Sequence, residues 1–179
     1  MSASTTTRRA AVLAALAVWL AGCATGVPPP GATDLIAGRL SLQVDSDGRQ
    51  PARSLGALFE LRGDAARGAF ELATPLGTTL AQARWRPGDV ELVTADGTYR
   101  FATLDAMTQR MLGEPLPLAA LFDWLRARPW PGASSAANAV GFEQLGWSVD
   151  LSRHGDGAVL LRRPQPPAVT LRVQLDAAS

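Results

Sequence analysis

From Ala37 onward, apolar and polar residues alternate along most of the chain. Leu40, Leu42 and Val44 fall on one side and Ser41 and Gln43 on the other. That period of two predicts a strand with one buried face. The alternation returns in Leu55-Ala57-Phe59-Leu61, in Phe70 and Leu72 around Glu71, in Val90 and Leu92 around Glu91, and in Tyr99 and Phe101 around Arg100. It resumes in Trp147-Val149-Leu151, in Val159 to Leu161, and in Val169-Leu171-Val173-Leu175. Asp47-Gly48, Gly63-Asp64, Pro87-Gly88-Asp89 and Asp96-Gly97 separate the early runs. Connections of a few residues pair neighbouring strands antiparallel, as a meander.

In the middle of the chain the period changes. Leu104, Met107, Met111 and Leu112 form one helical stripe, and Leu118, Leu121, Phe122 and Leu125 another. Gly113 can stop the first helix, and Pro117 can open the second after the break at Pro115. The stretch Arg128 to Ala139 has neither period and reads as a loose segment. About nine or ten strands are expected. A twisted sheet of that length curls. The predicted fold is therefore mainly β with α: a curled antiparallel sheet, an open half-barrel, covered by short helices that enclose an apolar cavity. Inward positions predict a lining of Leu40, Leu42, Phe59, Leu61, Phe70, Leu72, Trp85, Leu92, Tyr99, Phe101, Met107, Met111, Phe122, Trp124 and Trp147. A hollow and a solid core use the same residue types, so some of these are expected to be plain packing.

The first two dozen residues have a different pattern. Arg8 and Arg9 precede an apolar run from Ala10 to Ala21, which ends Leu20-Ala21-Gly22-Cys23. A charged start, about a dozen apolar residues and a small-residue cleavage site are the layout of a signal peptide. The run is too short for the roughly 20 residues of a membrane-spanning helix. Cys23 is the sole cysteine, so no internal disulfide is possible. Thr25 to Thr33, with Pro28-Pro29-Pro30, reads as a tether. The expected organisation is residues 1–22 as signal peptide, 23–36 as modified terminus and tether, and 37–179 as a single domain.

Charge and motifs mainly exclude. Without Arg8 and Arg9 the 17 basic residues fall to 15, against 16 acidic. No basic patch points to nucleic acid. One histidine, His154, sits at a predicted hairpin tip and reads as a solvated turn residue. There is no nucleophile elbow, histidine pair, phosphate loop or dinucleotide fingerprint, so no enzyme activity, metal or soluble cofactor is expected. Glu60, Glu71 and Glu91 occupy outward strand positions. An envelope hydrolase is the weakest of the functional readings. The loop Ala73-Thr74-Pro75-Leu76-Gly77-Thr78-Thr79 is unusual in holding a leucine between proline and glycine. Residue type alone leaves two places open for Leu76, outward at a loop tip or folded back as a cap on the core.

Around Cys23 the sequence resembles the lipobox of bacterial lipoproteins, which implies diacylglyceryl on the thiol, cleavage before Cys23 and acylation of the new amino terminus. Ala24 stands where an aspartate would imply inner-membrane retention, so the resemblance favours the outer membrane. The chain also resembles the LolB family. The similarity runs from Gly38-Arg39-Leu40 through Pro75-Leu76-Gly77, then Gly113-Glu114-Pro115-Leu116-Pro117 with Trp124-Leu125, to Gln144-Leu145-Gly146-Trp147. It implies a helix-covered half-barrel, anchored on the periplasmic face of the outer membrane of a Gram-negative bacterium. The implied role is a receptor that accepts acylated cargo lipoproteins from the periplasmic carrier LolA and inserts them into outer-membrane phospholipid. The resemblance implies no cofactor beyond the covalent lipid, and a monomer is expected. It gives Leu76, flanked by Pro75 and Gly77, the role of the loop leucine that engages the membrane during release. The alternative is a structural envelope lipoprotein that scaffolds outer-membrane protein or lipopolysaccharide assembly. Two departures from the family pattern carry expectations: the chain ends Asp176-Ala177-Ala178-Ser179 without an aromatic segment, which predicts poor closure at the last strand, and Pro129 to Asn138 is rich in small residues, which predicts a mobile mouth.

Overall fold

The computed structural model describes residues 35–48, 50–113 and 115–177. The signal peptide, Cys23 and most of the tether lie outside them. Eleven strands form one antiparallel sheet: β1 (Leu35–Val44), β2 (Arg53–Gly63), β3 (Gly68–Ala73), β4 (Thr79–Arg86), β5 (Asp89–Thr94), β6 (Gly97–Phe101), β7 (Ser135–Asn138), β8 (Gly141–Gln144), β9 (Trp147–Asp150), β10 (Ala158–Arg163) and β11 (Val169–Leu175). Their order is β6-β5-β4-β3-β2-β1-β11-β10-β9-β8-β7, so two meanders join where β1 pairs with β11.

Two helices, α1 (Leu104–Leu112) and α2 (Leu118–Trp124), link the two meanders and lie inside the curl. The curl is visible in what α2 touches. Phe122 meets Trp85 of β4 edge-on at 5.8 Å, and Trp124 meets Trp147 of β9 at 6.2 Å, so one short helix packs against both arms of the sheet. Alternation sets this up: Leu42, Val44, Phe59, Leu61, Leu72, Val149, Leu161, Leu171 and Val173 all point inward and are buried. The α1 boundaries follow from its caps. Thr103 Oγ1 accepts from the Ala106 N–H at 3.1 Å, and Gly113 takes a left-handed φ of 74° with its N–H donating to the Gln109 carbonyl.

The sheet differs from expectation in three places. It has eleven strands instead of nine or ten, because the segment read as loose contains β7, whose four residues are all exposed. An edge strand wetted on both faces shows no apolar period, and only its backbone pairing with β8 reveals it. Leu35 and Ile36 belong to β1, not to the tether. The last strand is not a poorly closed edge. β11 lies inside the sheet, with Leu175 opposite Gly38 of β1 and Gln174 opposite Ala158 of β10. Closure there comes from backbone pairing on both sides, which needs no aromatic tail.

Candidate apolar site and its exposed loop

Between the inward faces of β1, β2, β3 and β11 and the two helices lies an apolar hollow of about 50 Å³. Leu40, Leu42, Phe59, Leu61, Phe70, Leu72, Met107 and Met111, all expected in the lining, surround it. Leu55, Leu112, Leu116, Leu118, Leu121, Leu125, Leu171 and Val173 complete it. Of these, Leu55, Leu171 and Val173 sit at inward positions of alternating strands, so the pattern contained them. Leu116, between two prolines, carries no periodic signal. The one polar lining residue is Thr108, and its hydroxyl is spent: it donates to the Asp105 carbonyl at 3.1 Å and accepts from the Leu116 N–H at 2.9 Å. What remains toward the hollow is apolar.

A water's share of liquid volume is about 30 Å³, and small-ligand pockets run to roughly 300–1,000 Å³. The hollow is therefore small, nearly filled by its own lining. Met107, fully buried, and Met111 enter it from α1. Methionine has no branch and three soft torsions, so it fills such space and vacates it with little penalty. Leu55, Leu72, Met111 and Leu112 also line a second, open groove of about 320 Å³, shared with Leu80, Leu92 and Tyr99. The small hollow and the open groove are thus separated by a few shared side chains, at the side of the sheet from which the loop after β3 projects.

The remaining predicted lining residues lie elsewhere. Leu92 and Tyr99 belong to the outer groove. Trp85, Phe122, Trp124 and Trp147 are buried in solid packing on either side of α2. Two of these tryptophans also place their ring N–H: Trp85 donates to the Asp64 carbonyl at 3.0 Å and Trp124 to Gln144 Oε1 at 2.7 Å. Phe101 is half-buried on edge strand β6, opposite Val90.

Leu76 is 96% exposed. The loop that carries it is tightly built. The Gly77 N–H donates to the Thr74 carbonyl at 2.8 Å, the Thr74 N–H to the Thr78 carbonyl at 2.8 Å, and the Thr78 N–H to Thr74 Oγ1 at 3.1 Å. Pro75 fixes the entry to the turn, and Gly77 supplies a φ of 86° that side-chain-bearing residues avoid. Leu76 is held away from the core by this backbone network.

The strand glutamates lie on the outer face. Glu60 pairs with Arg62, Glu91 with Arg100, and Glu71 accepts from Thr79 and Gln82. Asp150, on the outer side of β9, is held below the usual carboxylate range, first by the Ser152 hydroxyl and then by the Ser152 N–H. His154 corrects the sequence reading. Its Nε2 donates to the Leu125 carbonyl at 3.1 Å, so the half-buried ring ties the β9–β10 connection to the end of α2 instead of sitting free in solvent. Among the described residues, no cluster of three or more His, Cys, Asp or Glu side chains is arranged to hold a metal.

Residues 35–176 match the family model described as outer membrane lipoprotein LolB. The chain belongs to the LolB family. Outer-membrane lipoprotein LolB of Bordetella petrii is 38% identical over 169 residues, covering 86% of this chain and 84% of its own length. The LolB proteins of Chromobacterium violaceum and Ralstonia nicotianae are each 34% identical, with 83% and 93% of this chain and 84% and 95% of theirs covered. LolB membership makes the chain an outer-membrane lipoprotein of the Lol system. No helix among the described residues is long and apolar enough to cross a membrane.

Proposed function

We propose that this protein, anchored to the outer membrane through lipid on Cys23, accepts acylated lipoproteins from the periplasmic carrier LolA and inserts them into the inner leaflet. The reading rests chiefly on the pairing of an all-apolar hollow, roofed by a methionine-bearing helix, with a leucine 96% exposed on a rigid turn beside it. No bond is made or broken. Acyl chains move down a gradient of apolar affinity, from carrier to receptor to bilayer, at about 0.8 kcal/mol for each methylene that gains better burial. Entry requires α1 to move outward, since a hollow of about 50 Å³ is too small for an acyl chain as it stands. The protein acts as a monomer on this reading and needs no cofactor beyond its own lipid.

Leu76→Glu tests it. The side chain touches no core residue, so the variant keeps its thermal stability while delivery of cargo from carrier to vesicles falls at least tenfold. Undiminished delivery by the folded variant refutes the role of Leu76. The small size of the hollow favours one second reading, an anchored scaffold for envelope assembly with a filled interior. Incubation with an acylated lipoprotein on its carrier separates the two, because a scaffold takes no cargo.

A further inference from the structure

Gln144-Leu145-Gly146-Trp147 forms a tight turn in the second meander. Gln144 pairs directly with Trp147, which leaves Leu145 and Gly146 as a two-residue connection with φ of 54° and 76°. Two left-handed residues in succession define the hairpin turn in which asparagine, aspartate and glycine are at ease and leucine is strained. Local propensity therefore disfavours the residue found at Leu145.

Both flanks are fixed. Gln144 is buried: it accepts from Trp124 Nε1 at 2.7 Å and the Trp130 N–H at 2.9 Å, and donates to the Trp130 and Ala133 carbonyls at 2.8 and 2.7 Å. Trp147 is buried with the Arg163 guanidinium 5.8 Å from its ring centre. With its neighbours pointing inward, Leu145 points outward and is 47% exposed.

Strand register brings this turn to the same edge of the sheet as the Leu76 loop. From Trp147 the edge runs through Arg163 opposite Val169, Val44 opposite Val169 and Arg53, and Ala73, which leads into the loop. The connection 164–168 beside Leu145 is Pro-Gln-Pro-Pro-Ala, without charge. The β1–β2 connection between the two leucines carries Asp45, Asp47 and Arg49. Contact is thus at two apolar points flanking a polar stretch.

We propose that Leu145 is a second bilayer contact, which enters the phospholipid surface together with Leu76 and sets the tilt of the domain during release. This rests on the reading of Leu76 as membrane-engaging. Two contacts on the two arms of a curled sheet fix an orientation that one contact leaves free.

The test uses the full lipidated protein in phosphatidylethanolamine–phosphatidylglycerol vesicles, with an environment-sensitive dye on a single introduced cysteine. Cys23, the only native cysteine, is blocked by lipid, so no native thiol competes for the dye. Dye at Leu76→Cys and at Leu145→Cys shifts to the blue and is quenched by lipid-borne quencher. Dye at Val140→Cys, exposed at the opposite edge, does not. A response at 76 without one at 145 overturns this proposal and spares the Leu76 reading; no response at either refutes both. Equal response at 140 means general adsorption, and a response at 145 only on adding carrier means a protein contact; each overturns the proposal. Leu145→Asn gives an independent readout: relief of backbone strain raises Tm by about 2–4 °C, while cargo delivery falls at least threefold. A stabilised variant with full delivery overturns the proposal.

Discussion

Gln144 shows how much one polar side chain can hold in this interior. Its amide joins the Trp124 indole, the Trp130 backbone on both its N–H and its carbonyl, and the Ala133 carbonyl. Leaving a buried partner unpaired costs about 1–3 kcal/mol. Gln144→Leu orphans several at once, so a loss of about 3–5 kcal/mol in urea unfolding is expected, while the intrinsic emission of Trp130 moves to the red as its segment loosens. A loss below about 1 kcal/mol would show that water replaces the amide. This residue was not legible in the sequence: a glutamine at an inward strand position breaks the apolar alternation, and its partners lie 11 to 20 residues away. The inward leucines of β1 to β3 were legible because each follows a period set by its own strand. The tryptophans were legible as buried but not as packing outside the hollow, since position along a strand does not reveal which side chains a helix fills in above it.

At the scale of elements, α1 is the moving part that the proposed function requires, and its attachments are few. The helix buries Met107 and Thr108 and ends in the Thr103 and Gly113 caps. Loss of an N-cap side chain costs about 1 kcal/mol, which corresponds to about a fivefold rise in the open population when opening unwinds the first turn. Thr103→Ala should therefore speed amide exchange across α1 about fivefold while leaving β1 and β11 unchanged. Equal protection in both proteins would mean that α1 moves as a capped rigid body. Both helices were legible from their stripes. β7 was not, because an exposed strand of Ser, Ala and Asn owes its existence to a neighbour's backbone and not to its own pattern.

Across the whole molecule, the sheet ends in two short edges, β6 and β7, of five and four residues. Edges that short offer little template for another strand. The half-barrel was readable from strand count and twist; that β1 and β11 close it through the middle was not, because pairing between the ends of a chain leaves no local trace. That central pairing has a mechanical result. Leu35 begins β1 at one edge of the sheet, whereas Leu76 stands at the other, so the chain enters the domain far from the leucine proposed to touch lipid. Ten residues of strand are about 33 Å long, and the dozen or so residues from Cys23 to Leu35 reach at most about 40 Å. With the lipid on Cys23, that leader works as a mooring line only slightly longer than the hull. Deleting residues 25–30 shortens it to about 20 Å and should lift a dye at position 76 out of the bilayer, whereas a glycine–serine replacement of equal length should leave it immersed. A dye that stays immersed after the deletion would mean the domain lies on its side. On the upright reading, how far the domain leans into its own membrane is metered by the length of its leader.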